Sequence, residues 1–250
     1  MLLTVDIGNT NIKLGLFEGD EMRARWRIAT DREKLADEYA MLLLSLLAAD
    51  GLNPADITGC AISSVVPALT GVFEELSQRY LKQQPKIFGP TTVTGMKVNT
   101  DYPAEVGADL VVNAIAARHL YGAPVIVISF GTATTFVAVS AQGDLEGVAI
   151  APGIVTSGES LFRATATLPQ VALHRPAVAV GKNTITSLQS GLVFGFAGLV
   201  EGLVERIQAE LGGNAKVVAT GGLAPMIAPE TPAIDVVEPD LALVGLRLLF

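Results

Sequence analysis

The sequence is poor in the residues that build disulfide frameworks and cysteine or histidine metal sites. Its 250 residues include 1 cysteine and 2 histidines. Because Cys60 has no second cysteine to pair with, an internal disulfide and a cysteine-ligated metal site are excluded, and the chain fits a reducing compartment. His119 and His174 are too few for a histidine-based metal centre. His119, beside Arg118 in a predicted helix, is typical of a surface residue.

Charged residues are also scarce, and acidic residues outnumber basic ones. Charged residues make up 17% of the chain, and 17 Lys and Arg against 25 Asp and Glu leave a net charge of -8. A surface of this sign repels polyphosphate, which argues against a general affinity for nucleic acid or for an anionic membrane. Hydrophobic residues are 50% of the chain. That content is ample for a core and excludes wholesale disorder.

One uncharged run raises the question of a membrane span. Residues 121–143 carry no charge and would be long enough to cross a bilayer. Pro124 and several glycines, serines and threonines interrupt the run, and turns inside hydrocarbon would leave backbone amides unpaired. We therefore predict two buried strands around a polar turn. The first residues lack the basic region and long apolar run of a signal peptide, so we expect a soluble cytoplasmic protein with no membrane partner.

Three common functional loops are missing. No Walker-type loop occurs, since Gly181-Lys182-Asn183 lacks both the upstream glycine and the hydroxyl residue. No Gly-x-Gly-x-x-Gly follows a predicted strand, and no Gly-x-Ser-x-Gly elbow occurs. These absences argue against a Walker-type nucleotide site, a dinucleotide-binding Rossmann domain and a serine hydrolase elbow.

Short apolar strands alternate with helices along the whole chain. Strands are predicted at residues 1–5, 12–17, 22–28, 57–66, 86–88, 125–129, 136–139 and 216–219. Helices are predicted at residues 35–49, 69–81, 103–120 and 184–211 and from residue 241 onward. Residues 22–28 alternate apolar and basic side chains, which is the pattern of a half-exposed strand. The alternation of elements predicts an α/β protein with sheets flanked by helices.

The two halves of the chain resemble each other at an offset of 123 residues. At this offset Asp6-Ile7-Gly8-Asn9-Thr10 falls on Ser129-Phe130-Gly131-Thr132-Ala133. Both segments follow an apolar strand and precede another strand. Self-similarity at half the chain length predicts two topologically similar domains, residues 1–120 and 121–250, which face each other across a cleft.

The two repeated turns have the composition of phosphate-binding hairpins. Glycine lets the backbone approach a phosphate closely, and threonine or asparagine side chains donate hydrogen bonds to its oxygens. Two such hairpins could hold a nucleoside triphosphate from both sides, although Gly and Asn also serve ordinary tight hairpins. Thr220-Gly221-Gly222-Leu223 leaves the same two interpretations open, because its glycines could make room for adenine or ribose or simply form a strand-to-helix loop.

Six short motifs occur in an order that resembles one family. They are Asp6-Ile7-Gly8-Asn9-Thr10-Asn11-Ile12-Lys13, Glu105-Val106-Gly107-Ala108-Asp109, Phe130-Gly131-Thr132-Ala133-Thr134-Thr135, Ala149-Ile150-Ala151-Pro152-Gly153, Gly181-Lys182-Asn183-Thr184 and Thr220-Gly221-Gly222-Leu223. Together they resemble the type III pantothenate kinases of the acetate and sugar kinase and actin superfamily. The resemblance implies duplicated ribonuclease-H-like (actin-like ATPase) domains with mixed sheets, a homodimer, and ATP-dependent phosphorylation of pantothenate to 4′-phosphopantothenate, the first step towards coenzyme A.

The resemblance also implies roles for individual positions. The hairpin Asp6 to Lys13 and Thr132 would bind ATP, and Asp6 would help to hold magnesium. Asp109 would be the general base that takes the proton of the pantothenate hydroxyl, although a carboxylate at a helix start is also favoured by the helix dipole. The remaining substrate positions would be Thr100, Gly107, Ala108, Leu110 and, reaching pantothenate from the partner subunit, Thr184.

Three positions depart from the family pattern. Leu110 stands where the family has arginine, and leucine offers neither charge nor donors. Ser129 stands where the family has the aspartate that binds a monovalent cation, potassium or ammonium, so we expect activity that does not depend on potassium. Thr100 stands at a tyrosine position, with Tyr102 two residues later.

Three interpretations of these departures stay open. The first is a working pantothenate kinase with shifted contacts. The second is a noncatalytic or regulatory relative, like the accessory transcription factors that share the fold. The third is a kinase of another small hydroxyl compound, because Leu110 would make the pocket more apolar.

Overall fold

The computed structural model describes residues 1–89, 92 and 95–250. Its strands are β1 (Leu2–Ile7), β2 (Asn11–Glu18), β3 (Glu21–Ala29), β4 (Gly59–Ser64), β5 (Lys86–Phe88), β6 (Val125–Phe130), β7 (Ala133–Val139), β8 (Leu145–Pro152), β9 (Lys216–Thr220) and β10 (Val236–Val237). Its helices are α1 (Ala36–Ala49), α2 (Pro67–Tyr80), α3 (Ala108–Tyr121), α4 (Ile154–Ala164), α5 (Thr184–Glu210), α6 (Ala224–Ile227) and α7 (Leu241–Leu249). The predicted strands and helices are all present, with shifted ends.

The chain divides into two compact units. The first comprises residues 1–96, 101–116 and 241–250, and the second comprises residues 97–100 and 117–240. Along the chain the change of unit falls inside α3, close to the predicted boundary at residue 120. The C-terminal helix α7 belongs to the first unit, where it packs against β1, β2 and β4.

The two sheets repeat one topology. The first has the order β3-β2-β1-β4-β5, and the second has the order β8-β7-β6-β9-β10. In each sheet the first three strands in chain order are antiparallel neighbours, and the last two are parallel to the first. This repetition of mixed sheets with flanking helices confirms the predicted fold class.

The positions of Asp6 and Ser129 within their sheets also match the offset found in the sequence. Asp6 pairs with Lys13 on β2 and with Ser63 on β4. Ser129 pairs with Thr135 on β7 and with Thr220 on β9. Asp6 and Ser129 therefore occupy the same place in their two sheets, five residues into the strand that leads to each hairpin.

Each sheet has a core on one of its faces. In the first unit the buried aliphatic residues of β1 and β2 pack with Tyr39 of α1 and Phe73 of α2, whose ring centroids are 4.9 Å apart. In the second unit Ile126, Ile128 and Phe136 pack with the buried side of α5. The uncharged run at residues 121–143 forms β6 and β7, as predicted, and both strands are mostly buried.

Four of these elements were absent from the sequence prediction. They are β8, α4, the four-residue helix α6 and the two-residue strand β10. In β8 one residue is buried, four are half-buried and three are exposed, so its side chains do not form a clear alternation. The reason it exists is its pairing with β7, which no local pattern encodes.

One helix among the described residues has the length and apolar composition to cross a membrane. It is α5, and 44% of its most apolar window is buried inside the protein. A core helix of a soluble protein has the same length and composition, so this feature alone decides nothing about a membrane.

Candidate active site

The first hairpin is held by residues that follow β3. The amide of Gly8 donates to Asn11 O at 3.1 Å and closes the turn, while the amide of Thr30 donates to Thr10 O at 3.0 Å. The hydroxyl of Thr30 also donates to Gly8 O at 2.7 Å, and Arg32 donates to Asn9 Oδ1 at 2.9 Å. The tip of the hairpin is therefore fixed on its β3 side and exposed on the other.

The predicted ATP-binding residues divide into exposed and buried ones. Asn9, Thr10 and Asn11 are exposed, and Gly8 and Lys13 are half-buried. The side chains of Ile7 and Ile12 are fully buried in the core. The two isoleucines can therefore meet a ligand only through their backbone groups.

Asp6 is a buried carboxylate next to a lysine. The hydroxyl of Ser63 donates to Asp6 Oδ1 at 2.8 Å. Burial raises the pKa of Asp6 above its usual value, while the positive charge of Lys13 and the Ser63 hydrogen bond lower it. The sequence prediction missed Ser63, whose signal was its place near the end of the predicted strand at residues 57–66.

Asp109 lies at the start of α3, within electrostatic reach of this hairpin. The pKa of Asp109 is raised to about 6, chiefly by burial and next by the negative charge of Asp6. This pKa is lowered by hydrogen bonds from the backbone amides of Leu110 and Asp109 and by the positive charge of Lys13. The structure thus brings Asp6, Lys13 and Asp109, which are far apart in sequence, into one electrostatic cluster in the first unit.

The carboxylate of Asp109 occupies space that a side chain at residue 107 would fill. A Cβ at Gly107 would lie 2.6 Å from Asp109 Oδ1. The carbonyl of Gly107 accepts hydrogen bonds from the amides of Leu110 and Val111 at 3.0 and 3.3 Å, so Gly107 also precedes the first turn of α3. Ala108 and Leu110 are buried, which leaves Gly107 and Asp109 as the accessible part of this motif.

The second hairpin is enclosed by glycines from two other loops. The amide of Gly153 donates to Thr132 O at 3.1 Å, and the hydroxyl of Thr156 donates to the same oxygen at 2.8 Å. A Cβ at Gly153 would lie 2.4 Å from Thr132 O, and one at Gly221, whose φ is +95°, would lie 2.4 Å from Phe130 O. Close packing therefore explains both glycines, while the side chain of Thr132 stays exposed.

Ser129 lies in a row of neutral hydroxyl groups. Thr135 and Thr220 are its direct neighbours on the two adjacent strands. Thr220 and Thr135 are buried, and Ser129 is half-buried. In the part of the chain that the structure describes, the Thr135 hydroxyl has no hydrogen-bond partner. No carboxylate belongs to this row of three.

Two further predicted substrate residues lie elsewhere. Thr184 is the exposed first residue of α5, directly after Asn183, whose side chain accepts a hydrogen bond from Thr186 N at 2.9 Å. Thr100 is half-buried, and within the described ranges its hydroxyl has no partner. Tyr102 is largely exposed. The roles of these residues in substrate binding stay predictions.

A resident metal centre has no support in the described part of the chain. No group of three or more His, Cys, Asp or Glu side chains there could hold a metal ion. Asp6 and Asp109 form a pair, however, and magnesium in kinase sites binds one or two carboxylates together with substrate phosphates. A divalent cation would also relieve the repulsion that raises the pKa of Asp109. This donor set fits a magnesium ion that arrives with a nucleotide.

The duplicated mixed sheets, one in each of the two units, define a fold class, the duplicated actin-like fold. The structure is similar to that of a protein from Sinorhizobium meliloti described as a candidate 2-dehydro-3-deoxygalactonokinase, with a TM-score of 0.61 over 100% of this chain and 95% of the other. Their sequences are 17% identical, so this likeness concerns the fold alone.

Sequence comparisons narrow the class to one family. The model of the family described as type III pantothenate kinase matches residues 2–206. Proteins named type III pantothenate kinase from Roseiflexus sp. (strain RS-1) and Moorella thermoacetica are 55% and 50% identical over 250 residues, which is 100% of this chain and 98% of each relative. The chain belongs to the type III pantothenate kinase family, as its motifs indicated.

Proposed function

We propose that this protein transfers the terminal phosphoryl group of ATP to pantothenate, which gives 4′-phosphopantothenate and ADP. The observation that carries the proposal is the cluster of Asp109, Asp6 and Lys13 at the first hairpin, in a chain of this family. A noncatalytic relative would have no need of a carboxylate held partly buried beside a second one, since that arrangement costs stability. The cluster therefore favours an enzyme.

Asp109 acts as the general base in this reaction. The pantothenate hydroxyl oxygen forms a bond to the terminal phosphorus, the bond from that phosphorus to the bridging oxygen breaks, and ADP leaves. Asp109 accepts the hydroxyl proton. A pKa of about 6 leaves the carboxylate ionised at neutral pH and more basic than an ordinary aspartate, which suits a general base.

The first hairpin would neutralise and position the phosphates. Phosphoryl transfer has a loose transition state, so catalysis depends on positioning and charge neutralisation. The exposed hairpin tip offers amides and side-chain donors, and Lys13 adds a positive charge. Asp6 would help to hold magnesium, which when bound neutralises charge on the phosphates. We propose Thr132 as a further ATP contact because its hairpin repeats the first.

The monovalent cation of the family does not fit the row around Ser129. Hydroxyl oxygens carry no net charge, and a carboxylate in contact with a cation supplies most of the attraction in such a site. We therefore propose catalysis without potassium or ammonium in this protein, and no step depends on that ion.

The proposed substrate contacts are the residues at the family positions, and the identity of the acceptor substrate has two candidates. We propose that Gly107, Thr100 and Thr184 contact pantothenate. Ala108 is buried, so we propose that it contributes through its backbone. Leu110 is buried and offers no donor at the position of the family arginine. This residue supports a second candidate, a kinase of a less anionic small hydroxyl compound.

We also propose a homodimer in the cytoplasm. Gly191, Gly195 and Gly198 share one exposed face of α5, and a Cβ at each would meet nothing within 4 Å. Ile185 near the start of the helix is 52% exposed. A second copy of the chain would cover this face. The thiol of Cys60 is free and buried, which suits a reducing compartment.

The test of the proposed reaction is the Asp109→Asn variant. We expect pantothenate-dependent ADP release to fall by roughly 10²–10⁴-fold, because the proton acceptor is lost. Absence of such release from the wild-type protein, at high enzyme and in potassium, sodium or ammonium, would contradict the proposal. A screen of hydroxylated acids, amides and sugars would then test the second candidate.

The stability of the same variant at two pH values tests whether it is correctly folded. Since the pKa of Asp109 rises from 3.8 to about 6 on folding, its ionisation destabilises the folded state progressively between these pH values. We expect Asp109→Asn to raise the free energy of unfolding by roughly 1–3 kcal/mol at pH 7.5. At pH 3.5 the gain should vanish, which denaturant titration can measure.

A further inference from the structure

The edge strand β3 has one apolar and one basic face. Trp26 and Ile28 pack against the core of the first unit, and Trp26 Nε1 donates to Asp50 Oδ2 at 2.8 Å. The alternate residues Arg23, Arg25 and Arg27 are exposed. Because successive side chains of a strand point to opposite faces, the three arginines lie on the face away from this core.

Arg27 extends the charged row of the candidate site across a third strand. Lys13 of β2 pairs with Asp6 on one side and with Arg27 on the other. Direct cross-strand partners share a face, with Cα atoms about 4.5–5.5 Å apart in an antiparallel pair. Asp6, Lys13 and Arg27 therefore project from the same face of the sheet. Two members of this row, Asp6 and Lys13, act electrostatically on Asp109.

The Lys13–Arg27 pair places two like charges directly opposite each other. Like charges directly opposite each other destabilise a sheet, and Asp6 lies on the side of Lys13 away from Arg27. In the ranges that the structure describes, no carboxylate forms an ion pair with Arg27. Arg23 on the same strand face differs, because Glu18 and Glu21 lie within 3.7 and 3.4 Å of its guanidinium. Arg23 is already paired with glutamates of its own hairpin. Arg27 lies beside Lys13, so it is the arginine of this strand that is suited to bind an external anion there.

We propose that Arg27 is a second cationic ligand for the anionic oxygens of a substrate, opposite Lys13 on the third strand of the sheet. The proposal deepens the kinase function proposed above and rests on it. The oxygens belong either to the nucleotide phosphates or to the carboxylate of the acceptor substrate. A guanidinium suits both, since its planar donors bind two such oxygens at once.

The test compares Arg27→Gln with Arg23→Gln in steady-state kinetics. Both changes remove one positive charge from the same strand face, but only the first lies beside Lys13. For Arg27→Gln we expect KM to rise by about tenfold, the typical effect of one charge-assisted hydrogen bond, with a smaller effect on kcat. A rise in KM for ATP would show that Arg27 binds the nucleotide phosphates. A rise in KM for pantothenate would show that it binds the carboxylate of the acceptor substrate. Arg27→Lys should recover part of the loss, and Arg23→Gln should match the wild type.

Direct binding separates this proposal from the proposed reaction. Calorimetric titration with magnesium–ADP and, in a second series, with pantothenate needs no turnover. If the wild type turns over and Arg27→Gln matches Arg23→Gln in both KM values and both Kd values, the role of Arg27 is overturned while the reaction stands. If the wild type binds ligand without turnover and Arg27→Gln alone weakens binding, the reaction fails and the anion site stands. If the wild type binds neither ligand, both the proposed reaction and the proposed role of Arg27 are overturned.

Discussion

At the scale of single residues, the position of the Asp109 carboxylate depends on the lack of a side chain at Gly107. Gly107 leaves room for the carboxylate of Asp109, which a Cβ at residue 107 would approach to 2.6 Å. The carboxylate then lies where the first amides of α3 donate to it. We therefore propose Gly107 as a positioning residue for the proposed base, in addition to its proposed contact with substrate.

Gly107→Ala tests this positioning role. We expect kcat to fall by about 10- to 100-fold, because the new methyl group displaces Oδ1 by the small distances to which catalysis is sensitive. The matched control is Gly71→Ala in α2, where a Cβ meets nothing within 4 Å and turnover should not change. A double-mutant cycle with Asp109→Ala tests whether the effect of Gly107→Ala on stability comes from its clash with the Asp109 carboxylate. If Gly107→Ala destabilises the protein equally with and without the carboxylate, the clash with Asp109 is not its mechanism.

At the scale of elements, one hairpin topology occurs twice with different chemistry. The first sheet places the carboxylate of Asp6 between a lysine and a serine. The second sheet places Ser129 at the same position, between two threonines. The registers of the two hairpins differ by one residue, since Asp6 pairs with the seventh residue after it and Ser129 pairs with the sixth, but both residues lie at the fifth position of their strands. The first row is charged and suited to phosphate chemistry, whereas the second is neutral.

The neutral row predicts how activity responds to monovalent cations. We expect the wild-type turnover number in potassium, sodium and choline salts of equal ionic strength to agree within about twofold, because Ser129 supplies no charge to hold the ion. Ser129→Asp should introduce a dependence on potassium, seen both in turnover and in the melting temperature. A steep potassium dependence of the wild type would contradict the prediction.

At the scale of the whole molecule, helices from distant parts of the chain complete each unit. The last helix, α7, packs on the first sheet, and a Cβ at Gly15 of β2 would lie 3.1 Å from Leu243 of that helix. In the second unit α5 covers the sheet with one side and exposes glycines on the other. An apolar helix with an uncovered face is typical of an interface between copies of a chain.

The proposed homodimer predicts the behaviour of a variant on that face. Wild-type protein should sediment with twice the 26.1 kDa mass of one chain. Gly195→Glu should shift it to the monomer, because the new charge would be buried in the interface, while the helix itself tolerates Glu well. Gly71→Glu, on an exposed and open position of α2, is the control and should stay dimeric. A wild type that is monomeric at micromolar concentration would contradict the proposal.

The sequence alone determined the features that depend on local pattern. Alternating and helical periodicity predicted the strands and helices now observed, and the offset between Asp6 and Ser129 predicted the duplicated topology. The family motifs led to Asp109 and to the hairpin. These features are readable because strand, helix and turn preferences depend on neighbouring residues.

Only the tertiary structure decided the features that depend on residues far apart in the chain. Strand pairing placed Arg27 opposite Lys13 and made β8 a strand despite its weak pattern. Packing buried Leu110 and placed α7 with the first unit. Burial together with the charge of Asp6 raised the pKa of Asp109, an effect that no spacing in the sequence contains. Register, burial and electrostatics are sums over long-range contacts, so they exist only in the folded chain.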